Sequence, residues 1–248
     1  NLILWHQHIL KDGGLKTLGF MPLTFDASIQ EFFTTICTGG THFITQDKLR
    51  YAPDKLATFL YEKGIERIFM TFTPLQHFIK AVEDTKLSLE KLKSIINVGE
   101  PLIITPLLRQ FFLRHSNCEL HNQYGLTETA VDMTDYKFEG SPEDWPERPS
   151  AGYPITNAKI YILDENLNQV EKNEKGEIYV GGMSLAREFV NQPELTKEKF
   201  IRDPFSKEQN SRMYQTGDLG QWLPDGSFQC LGRKDSQVKI RGFRVELG

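Results

Sequence analysis

Cysteine is scarce: Cys37, Cys118 and Cys230 are the only three in 248 residues. They lie far apart, with no Cys-x-x-Cys pair and no histidine at metal-ligand spacing beside them. A disulfide framework and a zinc or redox site are therefore set aside, and reduced, buried thiols in a cytoplasmic protein are expected. A basic excess is also missing. The 29 Lys and Arg are outnumbered by 33 Asp and Glu, giving a net charge of -4. With a pI near 5.9 the chain has no field suited to a phosphate backbone, which excludes nucleic acid as a partner. Long apolar runs are absent too: Ile65 to Phe72 is broken by Glu66 and Arg67, and a spanning helix needs about 20 apolar residues, so no membrane partner is expected. Asn1-Leu2-Ile3-Leu4-Trp5 lacks a basic flank and a small-residue cleavage site, so it reads as entry into a fold rather than a secretory leader. No repeat or low-complexity tract occurs. What is present, 39% hydrophobic, 11% aromatic and 25% charged residues, is the make-up of a folded protein long enough for one large domain or two smaller layered ones.

Two textures follow one another along the chain. Helical periodicity over Ser28 to Thr38, Asp54 to Lys63 (with Leu56, Phe59 and Leu60 on one face), Pro74 to Glu83 and Pro106 to Arg114 alternates with strand-like Thr41 to Ile44, Arg67 to Thr71, Ser94 to Val98 and Glu119 to Asn122. That alternation predicts a parallel sheet layered with helices, an α/β arrangement that gathers ligands at the carboxyl ends of its strands. The Pro-rich stretch Trp145 to Pro149 marks the best internal boundary. Beyond it, Lys159 to Leu163 and Glu177 to Val180 alternate apolar and polar residues and predict a long hairpin. Pro224-Asp225-Gly226-Ser227 predicts a tight turn between Leu219 to Leu223 and Phe228 to Leu231. His6 and His8 stand two apart, off a common helical face, and read as structural.

Chemistry-bearing residues cluster where elements end. Asn122-Gln123-Tyr124-Gly125-Leu126-Thr127-Glu128-Thr129 places an amide, a ring, a glycine, a hydroxyl and a carboxylate on a loop leaving a predicted buried strand. An amide can pair with a base edge, a ring can stack on it, Gly125 admits close backbone approach to phosphate, and Glu128 is a hard oxygen ligand for Mg²⁺. The same run also reads as a turn and a capped helix start. Tyr214-Gln215-Thr216-Gly217-Asp218-Leu219 offers a carboxylate able to accept both hydroxyls of a ribose, although turn chemistry also accounts for Gly217-Asp218. Gly232 to Gly242 is basic and glycine-bounded, as an exposed charged hairpin would be. In Phe25-Asp26-Ala27-Ser28-Ile29-Gln30-Glu31, Asp26 or Ser28 suits a helix N-terminus. If Asp26 joins the first turn, it shares a side with Gln30, and a carboxylate beside Phe25 and Phe32 in an apolar setting would favour a cation such as an α-ammonium.

Taken in order, Phe25 to Ser28, Asn122 to Thr129, Gly176-Glu177-Ile178-Tyr179-Val180-Gly181-Gly182 with Leu185-Ala186-Arg187, Tyr214 to Leu219, and Gly232 to Gly248 resemble five successive core motifs of nonribosomal peptide synthetase adenylation domains. The resemblance covers nearly the whole chain. It implies a flavodoxin-like α/β subdomain over 1–149, a smaller distorted β-barrel-like subdomain over 150–235, and a hinge with the start of a C-terminal lid over 236–248. It further implies ATP-dependent conversion of an amino acid to aminoacyl-AMP, followed by transfer to the phosphopantetheine thiol of a carrier protein domain. A condensation domain of the same synthetase and a small helper protein are further implied partners. The substrate carboxylate would attack the α-phosphorus, leaving the protein to align the reactants and stabilise charge.

By the same resemblance, Asn122 contacts adenine, Tyr124 stacks on it, and Gly99 and Glu100 line its pocket; Gly125 lets the backbone approach phosphate. Thr127 holds the α-phosphate, Glu128 binds Mg²⁺, Asp218 binds the ribose with Arg233 assisting, and Asp235 is the hinge. Asp26 pairs with the substrate ammonium, and Ala27, Gln30, Thr71, Ile96, Val98, Gln123, Val131 and Asp132 line the side-chain pocket. That set is similar first to pockets for Gln or Glu, then to those for Pro, and an anionic Asp132 makes neutral Gln the easier choice. The sequence departs from the pattern at Leu126, where proline is usual, at Glu188, where glycine is usual, and at Gln215, where Lys or Arg is usual. No Ser/Thr/Gly-rich phosphate loop ending in Lys-Gly and no lid lysine occur, so the 248 residues alone are expected to be impaired. The alternatives are an acyl- or aryl-acid CoA ligase sharing the nucleotide motifs, and a noncatalytic nucleotide-binding or docking scaffold.

Overall fold

A computed structural model of the chain describes residues 1–9, 13–234, 237–240 and 243–246, with Ile9 and the last two segments as backbone only. The hinge expectation at Asp235 lies outside the described residues. By its internal contacts the chain divides into two compact units, Ile3–Gln123 with Lys137–Pro149, and Asn1–Leu2 with Tyr124–Tyr136 and Ser150–Gly248.

In the first unit the predicted alternation becomes α1 (Leu2–Ile9), β1 (Lys16–Gly19), α2 (Ala27–Ile36), β2 (Thr41–Ile44), α3 (Asp47–Arg50), α4 (Pro53–Lys63), β3 (Arg67–Met70), α5 (Phe72–Thr85), β4 (Ser94–Asn97), α6 (Pro106–Arg114) and β5 (Glu119–Tyr124). Strands pair in the order β2-β1-β3-β4-β5, and every pairing among them is parallel. β3 and β4 are buried along their whole length, with Ile68, Phe69, Met70, Ile95 and Ile96 as their apolar members, as sheets covered on both faces require. Helices start and stop on local signals: Pro53 and Pro106 occupy first-turn positions, and Gly64 closes α4 in the left-handed region.

Helix α2 inverts the expected pattern. Its buried side carries Ser28, Gln30, Glu31, Thr34 and Thr35, whereas Ile29, Phe32, Phe33 and Ile36 are exposed. Phe32 therefore belongs to the outward face rather than to an apolar wall around Asp26. The inversion is supported by the pairing of Glu31, Thr34 and Thr35. Glu31 accepts the backbone N–H groups of Phe20 and Met21 at 3.0 and 3.2 Å, and the Thr34 and Thr35 hydroxyls donate to carbonyls one turn back. Burial raises the Glu31 carboxyl above its ordinary value, against hydrogen bonds from His42, Met21 and Phe20. Cys37, at the end of this helix, is exposed, which corrects the expectation of three buried thiols; Cys118 is buried, Cys230 is half-buried, and none of the three is in a disulfide.

The second unit is β-rich. A 3₁₀ turn at Thr127–Thr129 precedes β6 (Thr134–Lys137), β7 (Tyr153–Pro154), β8 (Ala158–Leu163), β9 (Gly176–Gly182), α7 (Pro193–Lys199), β10 (Phe200–Arg202), β11 (Arg212–Trp222) and β12 (Phe228–Arg233). Backbone pairing of β13 (Gln237–Ile240) with β14 (Phe243–Glu246) forms a separate antiparallel hairpin. β10-β11-β9-β8 form an antiparallel sheet that β12 extends on β11, and β8 pairs with β9 as the long predicted hairpin. The two faces of that hairpin depart from apolar-in, polar-out. Ile160, Ile162, Ile178 and Val180 pack with Met133 and Phe228, while Tyr161, Leu163 and Tyr179 build a second core with Met213. No helix among the described residues is long and apolar enough to cross a membrane.

Candidate functional site

In the α/β unit the expected residues sit at the carboxyl ends of β3, β4 and β5 and on the first turns of α2. Asp26 occupies the N-cap position of α2 with helical dihedrals, φ -62° and ψ -29°, and makes no side-chain capping bond. It therefore does join the first turn with Gln30 one turn on, and its Oδ2 is buried without a hydrogen-bond partner among the described residues. Ala27, Thr71, Ile96, Val98 and Gln123 are buried. Gln30 donates to Gln123 Oε1 at 2.8 Å and contacts His6 Nε2 at 2.7 Å.

The next cluster ties the strand ends together. Asn97 Nδ2, at the end of β4, donates to Asn122 Oδ1 at 3.0 Å and to the Glu100 carbonyl at 2.9 Å. The Glu100 carboxylate accepts the Thr73 N–H at 2.8 Å, in the first turn of α5. Between them Gly99 turns the chain at φ +79°, a left-handed conformation that costs glycine little.

In the β-rich unit the loop after Tyr124 folds back on itself. A Cβ on Gly125 would lie 1.9 Å from the Val131 carbonyl oxygen, so only glycine fits. Ala130 and Val131 both take positive φ, 57° and 79°, and for a β-branched residue this is a strained outlier of the kind that gathers at binding sites. Thr127 is exposed, Glu128 half-buried and Asp132 buried. Leu126, the departure from proline, packs with Phe200 and Tyr214, and its N–H donates to Thr129 Oγ1 at 3.0 Å. Glu188 is exposed, and Gln215 pairs with Tyr179 in the sheet.

Asp218 is the centre of a second polar cluster. The ladder between β11 and β9 slips between Gln215 and Leu219, with Gly217 at φ +74°, and this bulge takes Asp218 out of the pairing with β9 while it stays in register with Arg233 of β12. Its Oδ1 accepts from Arg233 Nη1 at 2.7 Å and its Oδ2 from the Tyr124 hydroxyl at 2.8 Å. Burial first, then the Asp218 charge, pushes the Tyr124 phenol well above its ordinary value, so the ring keeps its proton and donates. Thr216 Oγ1 accepts the Asp218 N–H at 2.9 Å, and Lys234 Nζ lies 3.3 Å from Glu177. A carboxylate held by two protein donors retains lone pairs for two ligand hydroxyls.

From the sequence His6 reads as structural, and Asn97 and Glu31 have no role assigned. Asn97 had a signal, a lone amide within the mostly apolar stretch Ser94 to Val98. His6 and Glu31 had none, since their partners lie far along the chain.

Set beside proteins of known kind, this combination of folds and strand-end polar groups is that of an adenylate-forming enzyme. The chain belongs to the AMP-binding enzyme family, whose model matches residues 2–190. Within that family it is of the nonribosomal peptide synthetase adenylation type. It is 42% identical over 234 residues to tyrocidine synthase 2 of Brevibacillus parabrevis, covering 94% of this chain and 6% of that protein. It is 38% identical over 234 residues to gramicidin S synthase 2 of Aneurinibacillus migulanus, covering 94% of this chain and 5% of that one. Among solved structures, PA1221, an NRPS protein containing adenylation and PCP domains, superposes with a TM-score of 0.82 at 26% identity, over 94% of this chain and 46% of its own. The chain thus spans a small fraction of the synthetases it matches.

Proposed function

We propose that this chain carries the nucleotide- and amino-acid-binding residues of an adenylation domain that joins ATP and an amino acid as aminoacyl-AMP, with pyrophosphate leaving as the substrate carboxylate attacks the α-phosphorus, for transfer to a phosphopantetheine thiol on a carrier protein. The observation that carries the amino-acid assignment is the buried, unpartnered Oδ2 of Asp26. A buried carboxylate oxygen without a donor is costly, and an α-ammonium supplies both the donor and the opposite charge. Fatty and aryl acids have no such group. Asp218, clamped by Arg233 and Tyr124, would take the ribose hydroxyls. Asn122, held by Asn97, would meet the adenine edge, with Gly99 and Glu100 alongside, Tyr124 against the ring and the Gly125 backbone near phosphate. Thr127, exposed on its turn, would donate to the α-phosphate.

Glu128 would hold Mg²⁺. A single carboxylate suits Mg²⁺, which is usually bound by one or two carboxylates plus substrate phosphates. The ion would neutralise phosphate charge during attack by the substrate carboxylate. For the side chain, Ala27, Gln30, Thr71, Ile96, Val98, Gln123, Val131 and Asp132 form the proposed contact set, with glutamine ahead of glutamate and proline. A carrier domain, a condensation domain and a helper protein are the proposed partners.

ATP–pyrophosphate exchange by a protein holding this chain within an intact adenylation domain tests the reading. Exchange should depend on an amino acid, and Asp26→Ala should abolish it while ATP still binds. CoA consumption with Asp26→Asn fully active would indicate an acyl or aryl ligase instead, and nucleotide binding without any exchange would indicate a scaffold.

A further inference from the structure

His6 lies on α1 with its imidazole 1% exposed, against Gln30 at 1% and Gln123 at 3%. Gln30 Nε2 is 2.7 Å from His6 Nε2 and donates to Gln123 Oε1 at 2.8 Å. A carboxamide nitrogen has two N–H groups and no accepting lone pair, so with the amides in this orientation one hydrogen goes to Gln123 and His6 Nε2 accepts the other. In that arrangement the imidazole is neutral with its proton on Nδ1. Gln123 Nε2, 3.4 Å from the same ring nitrogen, turns a second donor group toward it. A hydrogen on Nε2 would set donor against donor on two sides.

The consequence appears at the other end of the Gln30 amide. Its Oε1 is buried and has no hydrogen-bond partner among the described residues, and the same is true of Asp26 Oδ2 one turn earlier. Successive turns of one helix thus hold two unfilled acceptors, a carboxylate and an amide carbonyl. Buried acceptors left unfilled are destabilising, and a ligand that brings a donor to each removes both penalties.

We propose that His6 is a positioning residue: its Nδ1–H tautomer holds the Gln30 carboxamide with the nitrogen inward and the oxygen left for the ligand, so the site takes an amino acid whose side chain donates a hydrogen bond, a carboxamide rather than a carboxylate. The ligand assignment rests on the amino-acid-activation reading above; the tautomer does not. If the proton sat on Nε2, both amides would turn over, Gln30 would offer an N–H, and the same heavy-atom frame would favour a carboxylate. One proton on a buried histidine therefore selects between two polarities of the pocket.

Two measurements separate the parts of this proposal. Nitrogen-15 NMR of the chain with labelled histidine should show the His6 ring protonated at Nδ1 alone; protonation at Nε2 overturns the assignment. Gln30→Glu removes the inward donor, so His6 should then appear protonated at Nε2, and an unchanged Nδ1–H tautomer would count against the coupling. In an intact adenylation domain containing this chain, glutamine-dependent pyrophosphate exchange should exceed glutamate-dependent exchange by about 10- to 100-fold in kcat/KM, as an unfilled buried hydrogen-bonding group implies. His6→Phe should reduce that preference at least about tenfold, through KM for glutamine more than through kcat. A preference intact in His6→Phe, or glutamate favoured in the unsubstituted protein, overturns the proposal alone. Absence of exchange with every amino acid overturns the activation reading and with it the ligand assignment.

Discussion

Replacing Gly125 by alanine puts the return of the loop after Tyr124 to a direct test. The added Cβ would stand 1.9 Å from the Val131 oxygen, 2.7 Å from its carbonyl carbon and 2.5 Å from the Asp132 Cα. Carbon contacts are most favourable at about 3.5–4.0 Å, so the clash exceeds 1 Å, and each obstacle is backbone rather than a side-chain end that can swing away. Retreat is hindered as well. Ala130 and Val131 already occupy the left-handed region, and the Met133 N–H is bonded to the Tyr124 carbonyl at 2.8 Å, so parting the two segments weakens that bond. Overpacking costs about 1–3 kcal/mol, here at the upper end, and a weakened backbone hydrogen bond adds about 1 kcal/mol. For a chain of this size each kcal/mol lowers Tm by about 2–4 °C, so Gly125→Ala should lose about 10 °C in a thermal melt followed by circular dichroism. Titration with a fluorescent AMP analogue should show weakened binding, because the displaced segment carries Thr127, Glu128 and Asp132. A variant melting within about 2 °C of the original with unaltered affinity would refute the close approach.

Leu126→Ala should lower unfolding free energy by about 2–5 kcal/mol, read from urea denaturation, because Leu126 fills the space beside Phe200 and Tyr214; a smaller loss would mean that this cluster collapses onto the gap. Tyr124→Phe removes the hydroxyl donor to Asp218 Oδ2 and should weaken AMP binding about 3- to 10-fold by calorimetry, a single hydrogen bond being worth about 0.5–1.5 kcal/mol; unchanged affinity would show that Arg233 alone orients the carboxylate. Glu119 is held at about 2, chiefly by His121, whose Nε2 lies 3.6 Å away, and then by Lys137. Its folded value lies below the unfolded one, so its contribution is present above the ordinary value of 4.5 and is lost as pH falls toward 2. Glu119→Gln should therefore lose less stability between pH 5 and pH 3 than the original chain, in paired urea titrations; equal losses would contradict the assignment.

Periodicity decides secondary structure where each residue's role repeats along the chain. The strands from Thr41, Arg67 and Ser94, the helices over Pro53–Lys63 and Pro106–Arg114, and the turn at Pro224 to Ser227 were legible because burial, proline and glycine act locally. The parallel sense of the sheet followed from alternation; the order of its strands came only from the structure. Helix α2 was legible as a helix, but Phe32, expected beside Asp26 in an apolar setting, lies on the exposed face, and nothing local reveals that Glu31 meets the amides of Phe20 and Met21. The hairpin of β8 and β9 was legible in its pairing, but its second apolar face depends on Met213, remote in sequence.

The functional residues divide in the same way. By itself the sequence determined which chemical groups are present and in what order, because motif spacing is a property of the covalent chain. Only the tertiary structure decided which of those groups are already paired and which are left wanting. Asp218 has two donors, Asp26 and Gln30 each keep an acceptor unfilled among the described residues, and His6 and Gln123 of β5 meet at the buried Gln30 amide of α2. Hydrogen bonds between distant segments exist only after folding removes water as the competing partner, and no reading of neighbours along the chain can anticipate them.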